Sequence, residues 1–138
     1  GPLWQYGIDY KCGTGHGIGF FLNVHEGPHA IRNNYVPAIL EEGMVMSNEP
    51  GVYKEGRHGI RIENLIVVRK DEETESGQFM SFETITFCPI DLNGVIVDML
   101  SPEERAWLNS YHCEVYEKLS PSLNEEQRAW LKYNTRAI

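Results

Sequence analysis

Between Met44 and Val68 the chain reads MVMSNEPGVYKEGRHGIRIENLIVV, two apolar-rich stretches joined by the polar turn region KEGRHG. This pattern predicts two antiparallel strands. Folding the stretch about Gly56 sets residues whose numbers sum to 112 opposite one another, so Glu49 faces Glu63. Directly opposed side chains share a face of the pair, with Cβ atoms roughly 4.5–5.5 Å apart. Two carboxylates that close repel unless they share a proton or hold a cation between them. The competing reading is that Pro50 breaks the pairing and both acids point into solvent.

Elsewhere the pattern is plainer. Residues 3–12 read as the end of a helix running into a loop, with Gly7 as the stop. GTGHGIG (13–19) is a glycine-dense loop that lets backbone approach something closely, and FFLNV (20–24) predicts a strand ending at His25. No Lys-Ser/Thr follows the glycines, so a phosphate loop is a poor fit. His16 and His25 would face opposite ways on an unbroken strand, and a bend at Gly17 or Gly19 brings both toward one site. The bland alternative is two ordinary loop histidines, which is also the default reading for His29, His58 and His112, with His58 set apart by its place in the turn of the carboxylate hairpin.

Residues 27–43 read as loop, 71–78 (DEETESGQ) as a charged connector, and 79–90 (FMSFETITFCPI) as a third strand by its alternation. Glu83 in that strand is either an outer acid of the site or a surface residue. Ser101-Pro102-Glu103-Glu104 is a helix start with a capping box, and Leu108, Tyr111, Val115 and Leu119 form one apolar stripe. Ser120-Pro121 ends that helix, and a second one follows over 124–136 around Trp130, Leu131 and Tyr133.

Composition narrows the function classes. A formal charge of -8 argues against nucleic acid or an anionic membrane as partner. No apolar run approaches the roughly 20 residues that span a bilayer. Cys12, Cys88 and Cys113 make an odd count without CxxC spacing, which predicts free thiols in a reducing cytosol. The chain opens with Gly-Pro instead of methionine, which reads as a segment of a longer protein.

Taken together, GTGHGIGFFLNVHEGP, SNEPGVY and GIRIENL strongly resemble aminopeptidase P, the X-prolyl aminopeptidase family of the pita-bread metallopeptidases. FETITFCPID and LSPEERAWLNSYH resemble its cytosolic type, and VHEGP favours it over prolidase. The resemblance implies an α+β chain in which residues 1–100 form the C-terminal half of a pita-bread fold, an antiparallel curved sheet, and 101–138 a helical extension. It further implies two divalent ions, Mn²⁺ first with Zn²⁺ and Co²⁺ as alternatives, with His16, Glu49 and Glu63 as metal ligands. By the same resemblance Glu49 is the general acid/base, His25 hydrogen-bonds the substrate, and Arg61 supports an acidic ligand from behind. The implied substrates are peptides with proline second, and the implied parent is a cytoplasmic homodimer.

Two departures stand out. Asn48 replaces an acid that relatives often carry before the glutamate. The family's two aspartate ligands lie upstream, and Asp9, the one aspartate before His16, fits neither. Three of five ligands are therefore expected here, and the segment alone is expected to be inactive. The alternatives are a pita-bread binding module that has lost catalysis, against which the intact ligands argue, and a prolidase-like dipeptidase.

Overall fold

A computed structural model describes residues 2–21 and 23–138. The chain forms two compact units, residues 1–86 and 87–138.

In the first unit, strands β1 (Gly15–His16) and β2 (Ala30–Ile31) pair with each other. Strand β3 (Val45–Asn48) pairs with β6 (Asn64–Thr74), which pairs on its other side with β7 (Gly77–Thr84). Strands β4 (Gly51–Lys54) and β5 (His58–Arg61) form the tip of the central hairpin. All these pairs are antiparallel. Among the described residues of this unit, Met46, Ile66, Val67 and Val68 are the buried hydrophobes. A bridge between Gly17 and Met46 joins the short β1–β2 pair to the larger sheet.

The hairpin register agrees with the sequence reading. Val45↔Val67 through Asn48↔Asn64 and Gly51↔Arg61 through Lys54↔His58 all sum to 112. Pairing lapses only at residues 49–50 and 62–63, where Pro50 has no N–H to give the ladder. The Ile62 N–H still donates to the Pro50 carbonyl at 3.3 Å. The lapse has the same length in both arms, so Glu49 and Glu63 keep facing positions.

Four expectations need correction. The 27–43 segment is not wholly loop, because Ala30–Ile31 pair with β1 as strand β2. The described residues of 20–24 form no strand: Gly19 N–H donates to the Asn23 carbonyl and Glu26 N–H to the Gly17 carbonyl, closing a tight loop. Phe20, Phe21 and Val24 stand exposed on it, and Leu22 lies outside the described residues. The acidic 71–78 segment is mostly strand, with only Glu75 and Ser76 between β6 and β7. Gly77 at φ 117° makes that short turn possible, and Gln78 bonds across it to the Asp71 carbonyl. Finally, β7 stops at Thr84 and not at residue 90. There the Thr86 hydroxyl, instead of a backbone carbonyl, accepts the Leu65 N–H and so ends the ladder. Glu83 is an exposed residue paired with Arg69.

The second unit follows the sequence closely. Helix α1 (Pro102–Leu119) begins at the Ser101 capping box, and α2 (Glu125–Asn134) at a second box formed by Asn124 and Gln127. Tyr111, Val115 and Leu131 are its core, with Phe87, Ile90, Leu119 and Leu123 packed against them. The Tyr111 hydroxyl donates to the Cys88 carbonyl at 2.9 Å and accepts the Cys88 N–H at 3.2 Å. Among the described residues no helix is long and apolar enough to cross a membrane, and the three cysteines are free.

His112 is fully buried, and its Nε2 accepts the Ile90 N–H at 3.0 Å. Nδ1 makes no full hydrogen bond, although the Arg136 backbone lies near enough to favour its proton slightly. Burial pushes the imidazole below its usual pKa, and the Arg136 charge adds to this. The folded chain therefore resists a proton that the unfolded chain accepts. The stability is fully present above the unfolded value of about 6.5 and is lost as pH falls toward the depressed folded value. Urea midpoints followed by circular dichroism should fall between pH 7 and pH 5.5, and His112→Gln should make that slope shallower. An unchanged slope in the variant would assign the effect to other groups.

Candidate active site

His16 sits on β1 between two glycines that cannot carry side chains. A Cβ on Gly15 would lie 2.0 Å from the Ser47 carbonyl oxygen, and one on Gly17 2.0 Å from the Glu26 carbonyl oxygen. Backbone thus closes in on both sides of His16 and holds its main chain in place. Nδ1 lies 3.0 Å from the Gly17 carbonyl, which can only accept, so Nδ1 carries the proton. Nε2 then points its lone pair at Glu49 Oε1, 2.9 Å away. Two lone pairs at that distance attract only if Nε2 takes a second proton or a cation lies against both. A histidine anchored through Nδ1 to a carbonyl is the usual arrangement of a metal ligand.

Glu49 is held from several directions. Its backbone N–H donates to the Thr14 carbonyl at 2.6 Å. Oε1 accepts the Ser47 hydroxyl at 3.0 Å, and Ser47 Oγ in turn accepts the His16 N–H at 3.0 Å. Oε2 lies 3.4 Å from Arg61 Nη1. Arg61 Nε donates to the Tyr53 hydroxyl at 2.7 Å. That hydrogen bond, followed by the charges of Tyr53, Glu49 and Glu63, raises the guanidinium pKa still further. Tyr53 reaches Arg61 because its ring lies over Gly51 and Gly59, where a Cβ would meet it at 2.6 and 2.4 Å.

The tight 17–26 loop returns His25 to the site, its ring centroid 4.3 Å from that of His16. The bend at the glycines therefore does what the sequence suggested, without a strand. His16, His25, Glu49 and Arg61 form one continuous cluster. Glu63 is exposed, its charge is felt by Arg61, and it makes no hydrogen bond or ion pair with the other four among the described residues. Likewise no group of three or more His, Cys, Asp or Glu among the described residues is gathered closely enough to hold a metal ion. His29 is a hydrogen-bonded interior histidine, with Nε2 3.0 Å from the Val45 carbonyl oxygen. His58 is exposed in the hairpin tip.

The sequence reading missed Ser47 and Tyr53. The available signals were position alone: Ser47 shares a strand face with Glu49 two residues on, and Tyr53 lies opposite Gly59 on the arm that carries Arg61.

Comparison with known proteins accords with this geometry. Residues 1–70 match the model of metallopeptidase family M24, and residues 78–138 match that of the C-terminal region of peptidase M24. A probable Xaa-Pro aminopeptidase P from Coprinopsis cinerea is 46% identical over 99% of this chain and 23% of its own length. Aminopeptidase P2 of Arabidopsis thaliana is 49% identical over 99% of this chain and 20% of its own. The crystal structure of X-prolyl aminopeptidase from Caenorhabditis elegans, described as a cytosolic enzyme with a di-nuclear active site, superposes with a TM-score of 0.87 at 36% identity. That match covers 99% of this chain and 23% of the other. The chain thus spans less than a quarter of the length of these relatives. Its antiparallel sheets and C-terminal helices are those of the C-terminal part of the pita-bread fold, and the chain belongs to metallopeptidase family M24.

Proposed function

We propose that this chain supplies part of the catalytic centre of an aminopeptidase that removes the N-terminal residue from peptides with proline second. The observation that carries the reading is the pair His16 Nε2 and Glu49 Oε1, two ligand-type atoms facing each other at 2.9 Å beside His25 and Arg61. An imidazole facing carboxylates fits a divalent ion of intermediate hardness, and Mn²⁺ is the ion proposed, ahead of Zn²⁺ and Co²⁺. His16 and Glu49 would hold it, joined by Glu63, which stands exposed and apart from them here, and by acids outside this chain. The chemistry that two such ions supply is a water of lowered pKa and a polarised scissile carbonyl.

The chain's own residues do the rest. Glu49 takes a proton from the attacking water and returns one to the leaving amine. Arg61 keeps the Glu49 carboxylate turned toward His16 through its contact with Oε2. His25, beside His16, donates a hydrogen bond to the carbonyl oxygen on which charge develops. In this reading residues 1–100 belong to the catalytic domain and 101–138 to a helical extension, with residues 87–100 included in the compact helical unit. A cytoplasmic, homodimeric parent completes the proposal.

With two ligands expected upstream, the 138-residue chain alone should not hydrolyse Xaa-Pro peptides. Isothermal titration should find weak Mn²⁺ binding, and Glu63→Ala should weaken it further. Adding the upstream half should restore both tight binding and hydrolysis. Turnover by the chain alone would sink the split-site reading, and an extended protein that binds Mn²⁺ without cleaving Xaa-Pro peptides would sink the peptidase reading.

A further inference from the structure

Ser47 has no exposed surface, and its hydroxyl sits between the two sequence-predicted donors of the site. The hydrogen-bond directions around it are fixed. The His16 backbone N–H can only donate, so Ser47 Oγ accepts it at 3.0 Å. The single hydroxyl proton is then left for Glu49 Oε1, also at 3.0 Å. Oε1 is the same oxygen that faces His16 Nε2. One hydroxyl thereby ties the backbone of the histidine to the carboxylate of the glutamate, and it does so with a defined polarity.

The placement of Ser47 is itself determined by backbone. Its carbonyl lies against Gly15, where no Cβ could fit, and its position on β3 is paired with Leu65 on β6. The hydroxyl is therefore a fixed point relative to both β1 and the central sheet, whereas the Glu49 side chain has three torsions of its own. Arg61, which meets the other oxygen of the carboxylate, is exposed and reaches only 3.4 Å. The rigid anchor of Glu49 is Ser47.

We infer that Ser47 is a positioning residue, whose hydroxyl sets the angle at which Glu49 meets His16 and so the geometry of the donor pair. This rests on the metallopeptidase reading for its catalytic consequence but not for the donor geometry. Partners that orient a ligand carboxylate in this way change metal affinity by about 10–100-fold when removed.

The test compares Ser47→Ala with Ser47→Thr, which keeps the hydroxyl, in the protein extended by its upstream half. Ser47→Ala should raise the Mn²⁺ dissociation constant about 10–100-fold and lower kcat more than it changes KM. Ser47→Thr should stay within about threefold of the parent, a rescue that follows from the retained hydroxyl. In the 138-residue chain, at one fixed pH, the ¹⁵N shift of His16 Nε2 should move in Ser47→Ala and stay in Ser47→Thr. Where the alanine variant does not fold, Ser47→Cys, a weaker donor of similar shape, should shift the same readouts in the same direction. Unchanged Mn²⁺ affinity and an unmoved His16 resonance in the hydroxyl-less variant would overturn the inference. Failure of every variant, and of the parent, to cleave Xaa-Pro peptides would instead remove the peptidase reading, while the affinity ratio and the resonance still decide the role of Ser47.

Discussion

Glu49→Gln, made in the protein that joins this segment to its upstream half, is expected to lower kcat/KM for Xaa-Pro peptides by about 10²–10⁴-fold. Glutamine has nearly the same shape, so it can keep the hydrogen bond from Ser47 and the backbone bond to Thr14. The charge is what disappears. Without it Arg61 Nη1 loses its anionic partner, and His16 Nε2 faces a neutral amide. The amide can neither accept a proton from water nor return one, so the loss should fall on the chemical step. Steady-state kinetics with a proline-second peptide, alongside circular dichroism to verify the fold, would measure it. A loss smaller than about tenfold would deny Glu49 its acid/base role.

Gly15→Ala should do its damage through the backbone. The added methyl would sit 2.0 Å from the Ser47 carbonyl oxygen and 3.0 Å from its carbon, atoms that no rotamer can move aside. Relief requires β1 to separate from β3. Overpacking commonly costs about 1–3 kcal/mol, and a clash against backbone belongs at the upper end or beyond it. The neighbouring Gly13 offers a control, since a Cβ there meets nothing within 4 Å. Gly13→Ala should stay within about 0.5 kcal/mol of the parent in urea unfolding. Equal midpoints for the two variants would mean that the close approach at Gly15 is not rigid. Separation of β1 from β3 also breaks the His16 N–H to Ser47 bond, so Mn²⁺ affinity in the extended protein should fall together with stability.

Much of this was legible in the sequence because β pairing has a strict period. One assumption, a fold about Gly56, gave the partners along both segments of the hairpin, since no bulge lies between Val45 and Val67. The Ser101 capping box was equally readable, because the side chains that satisfy the first helical N–H groups are local. The failures came where hydrogen bonds outvoted composition. FFLNV has strand-forming residues, but Gly17 accepts the Glu26 N–H and Gly19 donates to the Asn23 carbonyl, which leaves it a loop. The acidic 71–78 run has the charge of a solvent-facing connector, but a hairpin arm can expose both faces and still pair, here across a register irregularity between Lys70 and Glu73. Ser47 and Tyr53 carried no motif. Their importance lies in distances across strands, which composition and spacing do not state.

The equal lapse in both arms of the central hairpin bears on how such a chain can change length in evolution. Because every pair sums to one constant, trimming or extending the tip beyond Lys54 and His58 leaves Glu49 and Glu63 where they are. A single residue gained or lost between Asn48 and Gly51 has no such freedom. It would turn every side chain of one arm to the opposite face, carrying the acid of that arm away from the other. Drift in length is therefore cheap at the tip and forbidden at the lapse.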